Sequence, residues 1–81
     1  MIIAVKRQWL YELRSNENLT QREMARIMGI SPSHYSNIEC GRRGLRGRSL
    51  RDHFVTISNH FGVSTDWIHK VENVHLNENS R

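Results

Sequence analysis

The sequence is poor in several features, and each shortage excludes a class of structure. Only one cysteine, Cys40, occurs among 81 residues. No disulfide can therefore form within the chain, which suits a reducing compartment. The longest apolar run, MIIAV at positions 1–5, is too short to span a membrane or to form the apolar core of a signal peptide. We therefore expect a cytoplasmic protein that has no membrane partner.

Patterns that would indicate catalysis or a bound metal are also lacking. No Ser/His/Asp arrangement, glycine-rich phosphate loop or pair of carboxylates stands out. His53 and His60 could share a helix face, but Cys40, His69 and His75 show no metal-ligand spacing. Surface histidines are the simpler interpretation, and the sequence predicts a protein that is not an enzyme and has no metal or cofactor.

The charge that is present is concentrated in one stretch. Lys and Arg number 12 against 8 Asp and Glu, which gives a net charge of +4. That total fits ordinary solubility as well as it fits an anionic partner. Residues 42–51, however, are half arginine, and a basic cluster in mid-chain is a candidate phosphate-binding surface.

Two helix signals stand almost side by side in LTQREMARIMGISPSHYSNIECG, residues 19–41. Thr20 with Glu23 three residues later forms a capping-box pattern at the start of the first helix. Gly29 is suited to end that helix, Ser31 can cap the next, and Pro32 fits its first turn. So short a gap permits only a tight turn at a steep crossing angle, which is the helix-turn-helix arrangement.

Apolar residues at helical spacing predict three further helices and no strands. One lies in VKRQWLYELR, residues 5–14, and another contains Leu50, Phe54, Ile57 and Phe61. Ser64 can cap a short fifth helix. We expect a single helix-turn-helix domain over residues 1–72, followed by a polar, flexible tail over residues 73–81.

Four blocks of sequence, in order, resemble the XRE family of DNA-binding domains found in phage repressor and Cro proteins. They are LR at 13–14, LTQREMARIMGIS at 19–31, SNIE with Gly41 at 36–41, and FGVSTDWI at 61–68. The resemblance implies an all-α, compact five-helix lambda-repressor-like domain. It also implies binding to double-stranded DNA, usually as a two-fold homodimer, with the third helix in the major groove. The chain departs from the family in its longer segment between Gly41 and Gly62, and in Pro32, which replaces a base-reading polar residue.

The resemblance gives a use to the polar face of the third helix. Ser33, His34 and Asn37 become base-reading candidates, since Asn can bond an adenine edge and His can donate to guanine acceptors. A solvated helix face is the alternative. For Thr20, capping alone is the favoured interpretation, and Ser36 is equally explained by packing. The expected contacts to the DNA backbone are Thr20, Gln21, Ser36, Arg42, Arg43, Arg46 and Arg48.

The resemblance also implies structural roles. A partly buried salt bridge between Arg14 and Glu39 would join the first helix to the end of the third. Tyr35 occupies a position that is usually aliphatic, so we expect it to be half-buried with its hydroxyl near the surface. On the fifth helix, Trp67 is expected inside the core, with Ile68 or Val71, the dimer candidates, directed outward.

Two classes of function fit these features. The first is a sequence-specific transcriptional regulator, most simply a repressor that occupies a palindromic or pseudopalindromic operator as a dimer. Its regulation would come from its concentration, from proteolysis or from a regulatory protein partner. The alternative is a protein-interaction module, or an antitoxin-like protein, that uses the same fold to bind an acidic partner. The sequence does not choose among phage, restriction-modification and antitoxin roles.

Overall fold

The computed structural model describes the backbone of residues 6–43 and 48–79, and the side chains of residues 6–43 and 51–77. Within these residues the chain forms five helices and no strand, so the predicted all-α helix-turn-helix architecture is confirmed. None of these helices is both long and apolar enough to cross a membrane. The helices are α1 (Gln8–Asn16), α2 (Gln21–Met28), α3 (Pro32–Glu39), α4 (Arg48–Phe61) and α5 (Thr65–Asn79).

Local hydrogen bonds explain where α2 and α3 begin and end. The Thr20 hydroxyl accepts the amide of Glu23 at 3.1 Å, and the Glu23 carboxylate accepts the amide of Thr20 at 2.9 Å, so the predicted capping box is confirmed. Gly29 ends α2 in the left-handed region, with φ at 71°, where glycine has no Cβ penalty. The Ser31 hydroxyl then accepts the amide of His34 at 3.1 Å, and Pro32 occupies the first turn of α3.

Every helix contributes to one apolar core. Half-buried residues, among them Leu13, Ile27 and Phe61, pack around its edge. A domain this small buries only about 60% of the surface that its unfolded chain exposes. The hydrogen bonds that join α1, α2, α3 and α5 therefore matter to the stability of the domain. The buried apolar residues are Trp9, Leu10, Met24, Ala25, Met28, Tyr35, Ile38, Phe54, Ile57 and Ile68. Leu50, predicted to lie on the apolar side of the fourth helix with Phe54 and Ile57, has its side chain outside the described residues.

The predicted short fifth helix is wrong, because α5 continues to Asn79 across the expected start of the tail. Glu72 and His75 point inward and are 5% and 3% exposed. The spacing of apolar residues predicts a helix only as far as Val71, because the inward positions that follow, Glu72 and His75, are polar. Whether residue 72 marks a domain boundary stays a prediction, and residues 80–81 lie outside the described part of the chain.

The predicted orientation of the apolar residues in α5 is also wrong. Ile68 is completely buried, whereas Trp67 remains 38% exposed and meets Trp9 edge-to-face with ring centroids 6.4 Å apart. Successive residues of a helix differ by about 100° in direction, so only one of the two can face the core. Ile68 therefore cannot make the expected outward dimer contact, while Val71 stays half-buried beside Trp67.

Candidate nucleic-acid interface

The three residues predicted to read bases lie on the accessible side of α3. Ser33 is exposed, and His34 and Asn37 are half-buried. Together with Ser31 and Arg43 they line one shallow, polar depression. The opposite side of the helix is held in the core by buried apolar side chains. The fold thus brings the base-reading candidates together with one of the predicted phosphate contacts.

A tight turn after α3 presents two of the arginines. The carbonyl oxygen of Asn37 accepts the amides of both Arg42, at 2.9 Å, and Arg43, at 3.1 Å. Gly41 has a positive φ of 80°, which allows the chain to reverse there. Arg42 and Arg43 are exposed beside the end of α3. Arg46 lies outside the described residues, and Arg48 begins α4 with its side chain outside them.

The start of α2 combines capping with a contact to α3. Thr20 has its hydroxyl engaged in the capping box, as the favoured interpretation predicted. The side-chain amide of Gln21 donates to the Glu39 carboxylate at 2.8 Å. An amide nitrogen carries two hydrogens, and this bond uses one of them. Ser36 is half-buried, and its carbonyl oxygen accepts the amide of Cys40.

The Glu39 carboxylate joins three helices beneath this surface. Arg14 donates to it from Nε at 2.7 Å and from Nη2 at 3.2 Å, so the predicted salt bridge is present in the structure. Tyr35 is fully buried and donates its hydroxyl to Glu39 at 2.7 Å. The expectation of a half-buried Tyr35 with a surface hydroxyl is therefore wrong. A carboxylate at this depth needs donors, and the tyrosine supplies one.

These contacts shift the pKa values of the group. Burial by itself raises the pKa of Glu39, but the hydrogen bonds from Arg14, Tyr35 and Gln21 outweigh burial and lower that pKa. Burial raises the pKa of Tyr35, and its hydrogen bond to the carboxylate adds to the effect. Glu39 is therefore ionised, and Tyr35 and Arg14 are protonated, at neutral pH.

The sequence analysis missed a second buried ion pair. Arg7, just before α1, contacts Glu72 in α5 through two parallel bonds, Nε to Oε1 at 2.8 Å and Nη2 to Oε2 at 2.9 Å. The Trp9 indole nitrogen donates to the same carboxylate at 3.0 Å. No local signal could have found this pair, because its members are 65 positions apart.

A buried histidine lies within electrostatic range of His34, one of the base-reading candidates. His53 in α4 is 8% exposed. Burial lowers the pKa of His53, and the positive charge of a protonated His34 in α3 lowers it further, while Asp52 opposes the shift. Across the part of the chain whose side chains are described, no group of three His, Cys, Asp or Glu residues is placed to hold a metal ion.

A family model described as a helix-turn-helix domain matches residues 8–74. The chain belongs to this helix-turn-helix family. The model is of the XRE/Cro-type class, in agreement with the resemblance found in the sequence. The match covers all of α1 to α4 and the first ten residues of α5. No curated protein and no solved structure matches the chain. In this helix-turn-helix domain, α2 and α3 form the two-helix motif, and its family points to a DNA-binding regulator.

Proposed function

We propose that this helix-turn-helix protein is a sequence-specific regulator of transcription, a repressor that occupies its operator in double-stranded DNA. The observation that carries the proposal is the accessible polar side of α3, where Ser33, His34 and Asn37 share one depression with Arg43. Base edges specify a sequence, and phosphates position the protein on it. Both kinds of contact are available at this one surface. The protein would act in the cytoplasm as a binding protein without enzymatic activity.

The roles divide by side-chain chemistry. Asn37 and His34 offer donors and acceptors that match base edges in the major groove, and Ser33 is permissive. Arg43 lines the same depression, Arg42 is its exposed neighbour in the chain, and the charge of both suits phosphates. The remaining phosphate candidates are Thr20, Gln21, Ser36, Arg46 and Arg48.

We further propose that the protein binds DNA as a homodimer through α5. Trp67, Val71 and Val74 follow one another at helical spacing and line a groove with Trp9. Val74 is 59% exposed and Trp67 38% exposed, although both are large and apolar. With Ile68 buried, Val71 remains a proposed dimer contact, and Trp67 and Val74 join it in place of Ile68.

Selection of bound sites from random duplex DNA tests the proposal. We expect an enriched, two-fold symmetric sequence whose half-sites lie about 34–36 Å apart, one turn of the DNA helix. Binding to that sequence should survive an excess of unrelated competitor DNA. Enrichment of no sequence, with only salt-sensitive binding to every duplex, would count against the proposal and favour the protein-interaction alternative.

A further inference from the structure

Arg7 lies too deep to touch DNA itself. Its side chain is 1% exposed, and it is the largest of the fully buried side chains. Two of its nitrogens are paired with the Glu72 carboxylate, which also accepts the Trp9 indole. A buried guanidinium held by two parallel bonds has little freedom to move. Arg7 is therefore a fixed point between the start of α1 and the middle of α5.

Two further hydrogen bonds of Arg7 go to the end of α3. Its backbone amide donates to the carbonyl oxygen of Glu39 at 2.8 Å, and its Nη1 donates to the carbonyl oxygen of Ile38. The last carbonyls of a helix have no partner within the helix, and a cation is favourable beside them. Arg7 thus supplies hydrogen-bond donors to two carbonyl oxygens at the C-terminus of α3, the proposed recognition helix.

Arg7 also reaches the turn that carries the exposed arginines. Its Nη1 donates to the carbonyl oxygen of Arg43 at 3.2 Å. The amide of Arg43 donates to Asn37 at 3.1 Å on the other side of the same residue. The backbone of Arg43 is consequently fixed both before and after its Cα atom. Its side chain, which lines the depression with Asn37, leaves the backbone in a direction that these two bonds determine.

We infer that Arg7 is a positioning residue, which holds Arg43 ready for a DNA phosphate and is itself held by Glu72. The inference rests on the proposed function, because it assigns Arg43 to a phosphate. A side chain whose backbone is already fixed loses less freedom on binding. The phosphate contact of Arg43 thereby depends on the ion pair between Arg7 and Glu72. Glu72 belongs to α5, which is not part of the proposed DNA-binding surface.

The salt dependence of DNA binding tests the inference in a double-mutant cycle. Arg7→Lys keeps the charge of the protein but cannot make two parallel bonds and also reach two carbonyl oxygens. We expect it to reduce the slope of log affinity against log salt by about 0.9, the value of one phosphate contact. Arg43→Ala should reduce the slope by the same amount. Both changes remove the same contact, the one between Arg43 and a DNA phosphate. Arg7→Lys should therefore cause no further loss of slope in the Arg43→Ala background.

Trp9→Phe is the matched control for lost stability. It removes a donor to the same Glu72 carboxylate and leaves the bonds of Arg7 to Ile38 and Arg43 unaltered. We expect it to lower the Tm and leave the salt slope unchanged. An unchanged slope in Arg7→Lys, or slope losses that add in the double variant, would overturn the inference. If Arg7→Lys does not fold, Glu72→Gln replaces it, since it keeps the side-chain shape and weakens the pairing.

Amide hydrogen exchange separates this inference from the proposed function, because it uses the free protein. Arg7→Lys should accelerate exchange of the Arg42 and Arg43 amides more than exchange of amides in the middle of α4. Trp9→Phe should accelerate exchange of these amides to a similar extent in both regions, because it lowers the stability of the whole domain. If the wild-type protein binds no DNA, the proposed function fails, and the exchange rates still decide whether Arg7 fixes the turn. Equal changes throughout the Arg7→Lys variant would overturn the positioning role.

Discussion

Asn37 contributes to the interface through two separate groups. Its side chain lines the depression on α3 beside His34. Its backbone carbonyl oxygen accepts the amides of Arg42 and Arg43 and so shapes the turn that follows. A substitution of the side chain leaves the backbone carbonyl in place. Base reading by Asn37 can therefore be tested without disturbing the arginines.

Asn37→Ala should relax the choice of operator. A bidentate contact to adenine is worth about 1–3 kcal/mol of discrimination at one base pair. We expect affinity for the preferred site to fall while affinity for unrelated DNA stays nearly unchanged, as measured by fluorescence anisotropy on matched duplexes. Asn59→Ala, the same change at an exposed position of α4, is the control. Equal loss on every sequence would contradict base reading by Asn37.

His53 should make stability depend on pH near neutrality. Burial and His34 lower its pKa in the folded state, below the unfolded value of about 6.5. The unfolded chain then binds more protons, so this contribution is complete above pH 6.5 and is lost as pH falls through the folded pKa. We expect the Tm to drop between pH 7.5 and 5, and His53→Gln to flatten that drop.

The control for this effect is Asn59→Gln, a change at an exposed position of the same helix that has no titratable group. Its Tm should follow the wild-type dependence on pH. The lowered pKa of Glu39 affects stability in a different range of pH. Such a carboxylate stabilises the folded state above its unfolded pKa of about 4.3, and this stabilisation is lost in stronger acid. A Tm profile unchanged by His53→Gln would show that other groups cause the drop.

At the scale of the element, α2 and α3 have only eight residues each. Isolated helices shorter than about 12–15 residues are marginal in water. Their ends must therefore be fixed by caps and by packing. Thr20 and Ser31 supply side-chain caps at the starts of α2 and α3. Gly29, between the two helices, adopts the left-handed conformation that ends α2. An added Cβ at Gly29 would meet no atom within 4 Å, so any cost of replacing this glycine lies in its backbone conformation.

Thr20→Ala should destabilise the domain by about 1 kcal/mol, since it removes the hydroxyl that accepts the Glu23 amide. The free energy of unfolding is measured by urea denaturation. Thr56→Ala makes the same chemical change inside α4 and should be neutral or stabilising, because alanine is the better helix former. Equal free energies of unfolding for the two variants would show that the capping box contributes little.

At the scale of the whole molecule, two buried ion pairs join segments that are distant in sequence. Arg14 with Glu39 connects α1 to α3, and Arg7 with Glu72 connects the start of α1 to α5. Both pairs have further hydrogen bonds to their carboxylates, from Tyr35 and Gln21 in one case and from Trp9 in the other. Removing one partner of a fully buried pair, as Arg7 with Glu72 is, costs about 3–5 kcal/mol because a charge is left buried, and the partly buried Arg14–Glu39 pair costs less. Helix α3 and α5 are thus joined through Arg7, whose amide donates to the Glu39 carbonyl oxygen and whose side chain pairs with Glu72.

Val74→Asp should dissociate the proposed dimer. The side chain is 59% exposed beside the groove on α5, so the change should spare the core and place a charge in an apolar contact. Sedimentation equilibrium should show a weaker dimer, and affinity should fall for the full operator but not for a half-site. Val55→Asp, at a 46% exposed position of α4, is the control. A wild-type protein that is monomeric both free and on DNA would exclude this interface.

The sequence by itself determined the features that depend on neighbours along the chain. Thr20 and Glu23, Gly29, and Ser31 with Pro32 interact within three or four residues, so their types predict the capping box and the turn. The polar positions of α3 also follow from spacing, and the resemblance to a known family supplied the Arg14–Glu39 pair. Only the tertiary structure decided the length of α5, the exchange of Trp67 and Ile68, the burial of Tyr35 and the pairing of Arg7 with Glu72. Each depends on a polar partner or a packing surface that comes from a distant part of the chain, and spacing along the sequence does not record such contacts.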